Sequence, residues 1–166
     1  LREGPVHAEL RLNEAGPWVI EVAGRSIGGL CSRALRFGLG EVSLEEIILR
    51  HALGMEIEPA ARVDEASGVM MIPIPRAGVL KEARGIEAAE QVAGVTGIAI
   101  TIRPGAHVTP LPEGSSYLGF IFARGESPAA VEASLRAAHG RLEFEISPAA
   151  PIAPERSASA PTLSAG

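Results

Sequence analysis

Apolar and polar residues alternate strictly along Val6-His7-Ala8-Glu9-Leu10-Arg11-Leu12, the period of a strand with one face toward a core. Trp18-Val19-Ile20-Glu21-Val22-Ala23 reads as a second strand, and Asn13-Glu14-Ala15-Gly16-Pro17 supplies turn chemistry between them. Pairing Leu12 with Trp18, Leu10 with Ile20 and Ala8 with Val22 makes one face of the hairpin wholly apolar. A slip of one residue puts Leu10 opposite Glu21 or Val19, so burial is expected to specify the register. In that register Glu9 faces Glu21 on the other side of the sheet.

Beyond the hairpin, Gly28-Gly29 leads into Leu30–Phe37, where Leu30, Ala34 and Phe37 fall on one side of a short helix that Gly38 and Gly40 end. Ser43-Leu44-Glu45-Glu46 has capping-box spacing, which predicts a helix from Leu44 to about Leu53 with Leu44, Ile47 and Ile48 inward and Gly54 after its end. Pro59 to Asp64 reads as a connection. The next region predicts strands at Gly68–Ile74, Gly78–Glu82, Val95–Arg103, Tyr117–Arg124 and Arg141–Ile146. It also predicts a short helix at Gly85–Val92 and a longer one begun by Ser127-Pro128, with Val131, Leu135 and Ala138 buried and Gly140 at its end. The pattern defines an α+β fold with the helices on one face of an antiparallel sheet. From residue 148 onward Pro, Ala and Ser dominate without periodicity, so 148–166 reads as a disordered tail.

Composition narrows the function classes. With 166 residues, 46% of them apolar and 21% charged, the chain can bury a core. A net charge of −5, dispersed Lys and Arg and few aromatics speak against nucleic-acid binding. No apolar run reaches the length of a membrane-spanning helix. Cys31 is alone, which rules out an intrachain disulfide and fits a reducing cytoplasm, the location expected here. As a small buried hydrophobe Cys31 needs no chemical role.

The chemistry concentrates around the two glutamates. Like charges directly opposed on paired strands are destabilising, and a cation between them reverses the sign. Carboxylate oxygens suit Mg²⁺ or Mn²⁺. Arg25 follows Glu21 and Ala23 on the same extended face, and a guanidinium there reaches a phosphoryl oxygen. A half-exposed hairpin also carries charges on its wet face with no ligand at all, and Arg11 is near enough to neutralise one of them.

The stretch from Gly4-Pro5-Val6-His7-Ala8-Glu9 to Glu21-Val22-Ala23-Gly24-Arg25-Ser26-Ile27-Gly28-Gly29 resembles the end of an ATP-grasp catalytic domain, in the L-amino-acid-ligase-like or carboxylate–amine ligase branch. The resemblance continues through Arg62–Ile146, to the domain that follows the ATP-grasp in that branch. It implies that Glu9 and Glu21 hold the Mg²⁺ (or Mn²⁺) bridging the phosphates of ATP. It makes Arg25 the catalytic contact to the phosphoryl group or substrate carboxylate, and places Ser26, Gly28 and Gly29 beside the substrate. Ala23 stands where the family's Glu-x-Asn-x-Arg pattern has asparagine, which leaves one or two metal ions open. The implied activity joins a small, amino-acid-like carboxylate, activated as an acyl phosphate, to an amine. No nucleic-acid or membrane partner is implied.

The resemblance divides the chain into 1–58, the end of the catalytic domain, and 62–147, the following α+β domain. It makes the sequence the carboxyl-terminal part of a longer enzyme. The competing reading is a non-catalytic β-rich interaction module whose hairpin carboxylates are merely solvated. The glycines at 24, 28 and 29 serve either a tight turn or close approach of a ligand. His7, on the Glu9 face, is a surface histidine or a partner orienting Glu9. Arg33 and Arg36 are solvated charges or neutralise a substrate carboxylate.

Overall fold

The computed structural model describes residues 2–38, 40–57 and 61–149. Strands β1 (His7–Asn13) and β2 (Gly16–Ala23) form the expected antiparallel hairpin. Its register holds at the open end, where His7 pairs with Ala23, Ala8 with Val22 and Glu9 with Glu21. It then shifts at a bulge between Glu9 and Leu10, so that Leu10 meets Val19, Arg11 meets Trp18 and Leu12 meets Pro17. The expected Leu12–Trp18 and Leu10–Ile20 pairs are therefore absent, and Trp18 shares a face with Arg11 and Glu9. The turn is tighter than expected: Asn13 pairs with Gly16 across Glu14 and Ala15. Asn13 Oδ1 accepts from Ala15 N at 2.9 Å and from Trp18 Nε1 at 3.2 Å. Gly16 supplies the φ of +111° that the turn demands. Burial does not enforce the register, because Leu12 is 77%, Ile20 65% and Val22 61% exposed.

The helix expected over Leu30–Phe37 is a single 3₁₀ turn at Cys31–Ala34, after which Arg36–Phe37 (β3) pairs with Val42–Ser43 (β4). Gly38, with φ +67°, turns the chain so that this pairing takes the end of the expected helix. Helix α1 (Leu44–Ala52) forms where the capping signal predicts. Ser43 accepts from Glu46 N, Leu44, Ile47 and Ile48 are half-buried, and Gly54 has φ +65°.

The remaining chain builds two three-stranded antiparallel sheets, where the sequence suggested one. Strands β5 (Ala66–Ile72), β9 (Gly119–Gly125) and β7 (Val95–Ile100) form the first, with β9 central. In the second, β6 (Gly78–Arg84) lies between β10 (Glu143–Ser147) and the short β8 (His107–Val108). Helix α2 (Ile86–Glu90) contacts β7, and α3 (Pro128–His139) lies across β5 and β9. Ser127 caps α3 by accepting from Ala130 N, and Val131, Leu135 and Ala138 are buried as expected. The valine and the leucine each contribute roughly 1.5–3 kcal/mol on burial, the alanine less. Ile72, Leu80, Leu118 and Ile121 are almost wholly enclosed and centre the core. Gly68 is required for close approach, since a Cβ there would lie 2.8 Å from Val131 Cγ1. The tail expected over 148–166 lies outside the described residues from 150 onward.

Candidate functional site

Direct pairing places Glu9 and Glu21 side by side on one face of the hairpin. The bulge adjoins this pair, a place where bulges commonly re-aim side chains. Arg25 follows β2 and approaches Glu21 at 3.7 Å, with both side chains 54% exposed. Its Nη1 also donates to the Ser26 carbonyl at 3.0 Å. The structure thus brings Glu9, Glu21 and Arg25 to one edge. Exposure of this degree keeps the Arg25–Glu21 contact weak, about 0–1 kcal/mol, and leaves the guanidinium free to exchange partners.

A cation would fit this edge. Two carboxylates supply part of an oxygen shell, and Mg²⁺ commonly takes its remaining ligands from water and phosphate oxygens. His7 precedes Glu9 by two residues on the same face, and its Nδ1 is buried without a hydrogen-bond partner among the described residues. Such an orphan is costly unless something outside the chain satisfies it. Ala23, opposite His7, has no ligating atom, and no group of three or more His, Cys, Asp or Glu converges among the described residues. The chain therefore offers two acidic ligands, not a closed cage.

The glycine loop turns the chain from the hairpin onto the first sheet. Gly29 has φ +63°, and a Cβ there would lie 3.1 Å from the Phe120 ring, so both the backbone angle and the packing demand glycine. Gly28 needs neither; its missing side chain leaves the Arg25 guanidinium uncovered, 3.8 Å from where a Cβ would stand. Beyond the loop, two contacts that sequence reasoning missed tie the 3₁₀ turn to α1 and the β3–β4 turn to β9. Ser32, buried in the 3₁₀ turn, donates to Glu45 on α1, and this bond, more than any other cause, holds the Glu45 carboxyl below the usual carboxylate range. Arg124 on β9 donates to Glu41 at 2.7 Å and lies 3.4 Å from Glu65, and it lowers the Glu41 carboxyl in turn. Separated by 13 and 83 residues, these pairs carry no local sequence signal.

An acidic hairpin leading through a glycine loop to a small α+β unit is an arrangement similar to the carboxyl-terminal regions of ATP-grasp ligases. Residues 70–147 match the family model of L-amino acid ligase C-terminal domain 2. Among solved structures, the L-amino acid ligase of Bacillus licheniformis superposes with a TM-score of 0.73 at 28% identity, over 89% of this chain and 37% of that one. The phosphoribosylglycinamide synthetase of Anaerococcus prevotii (TM-score 0.68, 15% identity, 86% and 37% covered) shares the fold. So does the N5-carboxyaminoimidazole ribonucleotide synthetase of Thermotoga maritima (TM-score 0.63, 12% identity, 86% and 37% covered). An uncharacterized protein, y4rH, of Sinorhizobium fredii is 26% identical over 148 residues, 87% of this chain and 30% of its own length. The chain is similar to the carboxyl-terminal part of ATP-grasp ligases in the L-amino-acid-ligase branch, and spans about a third of the length of these relatives. No helix among the described residues is long and apolar enough to cross a membrane.

Proposed function

We propose that this chain contributes the metal-binding edge of an ATP-dependent carboxylate–amine ligase. The observation that carries the reading is the direct pairing of Glu9 with Glu21, with Arg25 beside it. In the proposed reaction a substrate carboxylate takes the terminal phosphoryl group of ATP, releasing ADP. An amine then displaces phosphate from the acyl phosphate and loses a proton, leaving a C–N bond. Mg²⁺, or Mn²⁺, supplies screening of the phosphate charges when bound.

Glu9 and Glu21 would hold the ion, with His7 on the same face of the hairpin. The Arg25 fork grips two oxygens of the phosphoryl group or the substrate carboxylate, stabilising charge as it develops. Ser26 and Gly28 line the substrate's approach, with Gly29 anchoring their loop on Phe120. Residues 1–58 belong to the catalytic domain and 62–147 to the domain that follows it, with the adenine pocket supplied by other parts of a longer protein. Small amino-acid-like carboxylates and amines are the substrates, and the cytoplasm is the site of action.

Arg25→Lys in the complete protein tests this. A lysine keeps the charge but loses the fork, so turnover should fall roughly a hundredfold, the scale of losing one oxyanion donor. Steady-state release of ADP and phosphate reads the effect, and turnover within a few-fold of the wild type refutes the role.

A further inference from the structure

Gly29, the 3₁₀ turn and the first sheet line an open recess of about 810 Å³. Leu30 and Phe122 form its apolar wall. Gly97 on β7 pairs with Phe122, and a Cβ built at Gly97 meets nothing within 4 Å. The missing side chain leaves open space beside the aromatic ring.

The charged groups around that space are unevenly matched. Arg124 is engaged by Glu41 and Glu65, and Glu45 by Ser32. Arg36 donates to the carbonyls of Arg33 and Leu35, and it adds a smaller pull on Glu41 and Glu45 to those of Arg124 and Ser32. Neither Arg36 nor Arg33 has a carboxylate at ion-pair distance among the described residues, and the guanidinium carbon of Arg33 lies 5.9 Å from the Phe122 ring centroid. With Arg124 balanced by Glu41 and Glu65 and Glu45 engaged by Ser32, these two are the lining's cations without such a partner.

We propose that this recess binds a small monocarboxylate with an apolar body, its carboxylate on the Arg33 fork and its body in the space Gly97 leaves beside Phe122. A guanidinium fork matches a carboxylate bidentately. Small-molecule sites join an apolar wall to convergent polar groups, and here Leu30, Ile98 and Phe122 stand beside a strongly polar rim. The recess shares Gly29 with the proposed substrate loop but uses neither Glu9 nor Glu21 and needs no nucleotide, so its test is separate from that of the ligase reading.

The test is a titration of the ¹⁵N-labelled chain with phenylacetate, in the absence of Mg²⁺ and ATP, followed by amide chemical shifts. Saturable shifts centred on Arg33, Gly97 and Phe122 are expected, with phenylacetamide, the neutral isostere, binding at least tenfold more weakly. Arg33→Gln should weaken phenylacetate at least tenfold. Gly97→Val should abolish saturation by filling the space, with a branched side chain that suits a strand. Gly97→Ala serves as the milder filling variant if the valine chain loses its dispersed spectrum. Absence of saturation, equal binding of acid and amide, or an unchanged affinity in Arg33→Gln overturns the proposal.

Discussion

Replacing Glu9 with glutamine isolates the electrostatics of the paired carboxylates. Opposed residues on antiparallel strands lie ~5 Å apart, and two unit charges at that distance in water repel by about 0.8 kcal/mol. Screening at physiological ionic strength reduces this to about 0.4 kcal/mol. Without metal, Glu9→Gln should therefore leave the hairpin as stable as the wild type or more stable by that amount. Glu21→Gln is the less clean probe because it also removes the contact to Arg25 at 3.7 Å. With metal the order reverses: an ion at ~10 times its dissociation constant stabilises the wild-type hairpin by about 1.4 kcal/mol, and the variant forfeits most of this. Amide hydrogen exchange at Ala8, Leu10 and Val22, with and without Mg²⁺, reads both signs in one protein. Equal Mg²⁺-dependent protection in wild type and Glu9→Gln, or none in the wild type, refutes the metal role of the pair.

Gly68→Ala forces a Cβ to within 2.8 Å of Val131 Cγ1 and 3.2 Å of Leu135 Cδ1, so it should cost about 1–3 kcal/mol in denaturant unfolding, whereas Gly97→Ala, with open space above it, should cost under about 1 kcal/mol. Equal costs would show that α3 yields freely to the sheet. Glu45 has its carboxyl depressed by Ser32, so its contribution to stability is complete above the ordinary carboxylate pKa of about 4.3 and is lost as pH falls through the lower folded value. Because the group is largely solvated, the loss should be a few tenths to about 1 kcal/mol. Ser32→Ala should flatten this acid limb in melts between about pH 5 and pH 3, and an unchanged limb would remove Ser32 as its cause.

Local chemistry determined much of this protein. The period-2 alternation about Glu9 and the Asn–Gly-rich turn are enough to write the hairpin, and the Glu9–Glu21 pair follows from counting along it. Ser43 and Ser127 announced α1 and α3 because a cap is a contact between residues three apart. The glycine loop and Arg25 were legible as a motif, and with the hairpin they carried the family resemblance. The failures share a cause. Whether Ile20 pairs or bulges depends on what covers the apolar face, and a sequence pattern names the face without its cover. The residues from Leu30 to Phe37 have helical spacing, yet Arg36 and Phe37 gain more by pairing with Val42 and Ser43 and by bridging to Arg62. Two sheets instead of one, the Ser32–Glu45 and Arg124–Glu41 contacts, and the recess beside Phe122 all join segments distant in the chain. Such contacts form only after loop closure has brought their partners together, so their free energy leaves no mark on local composition. The sequence alone therefore determined which side chains carry charge and where strands and caps begin, while tertiary packing decided which charges meet and which, such as Arg33, do not.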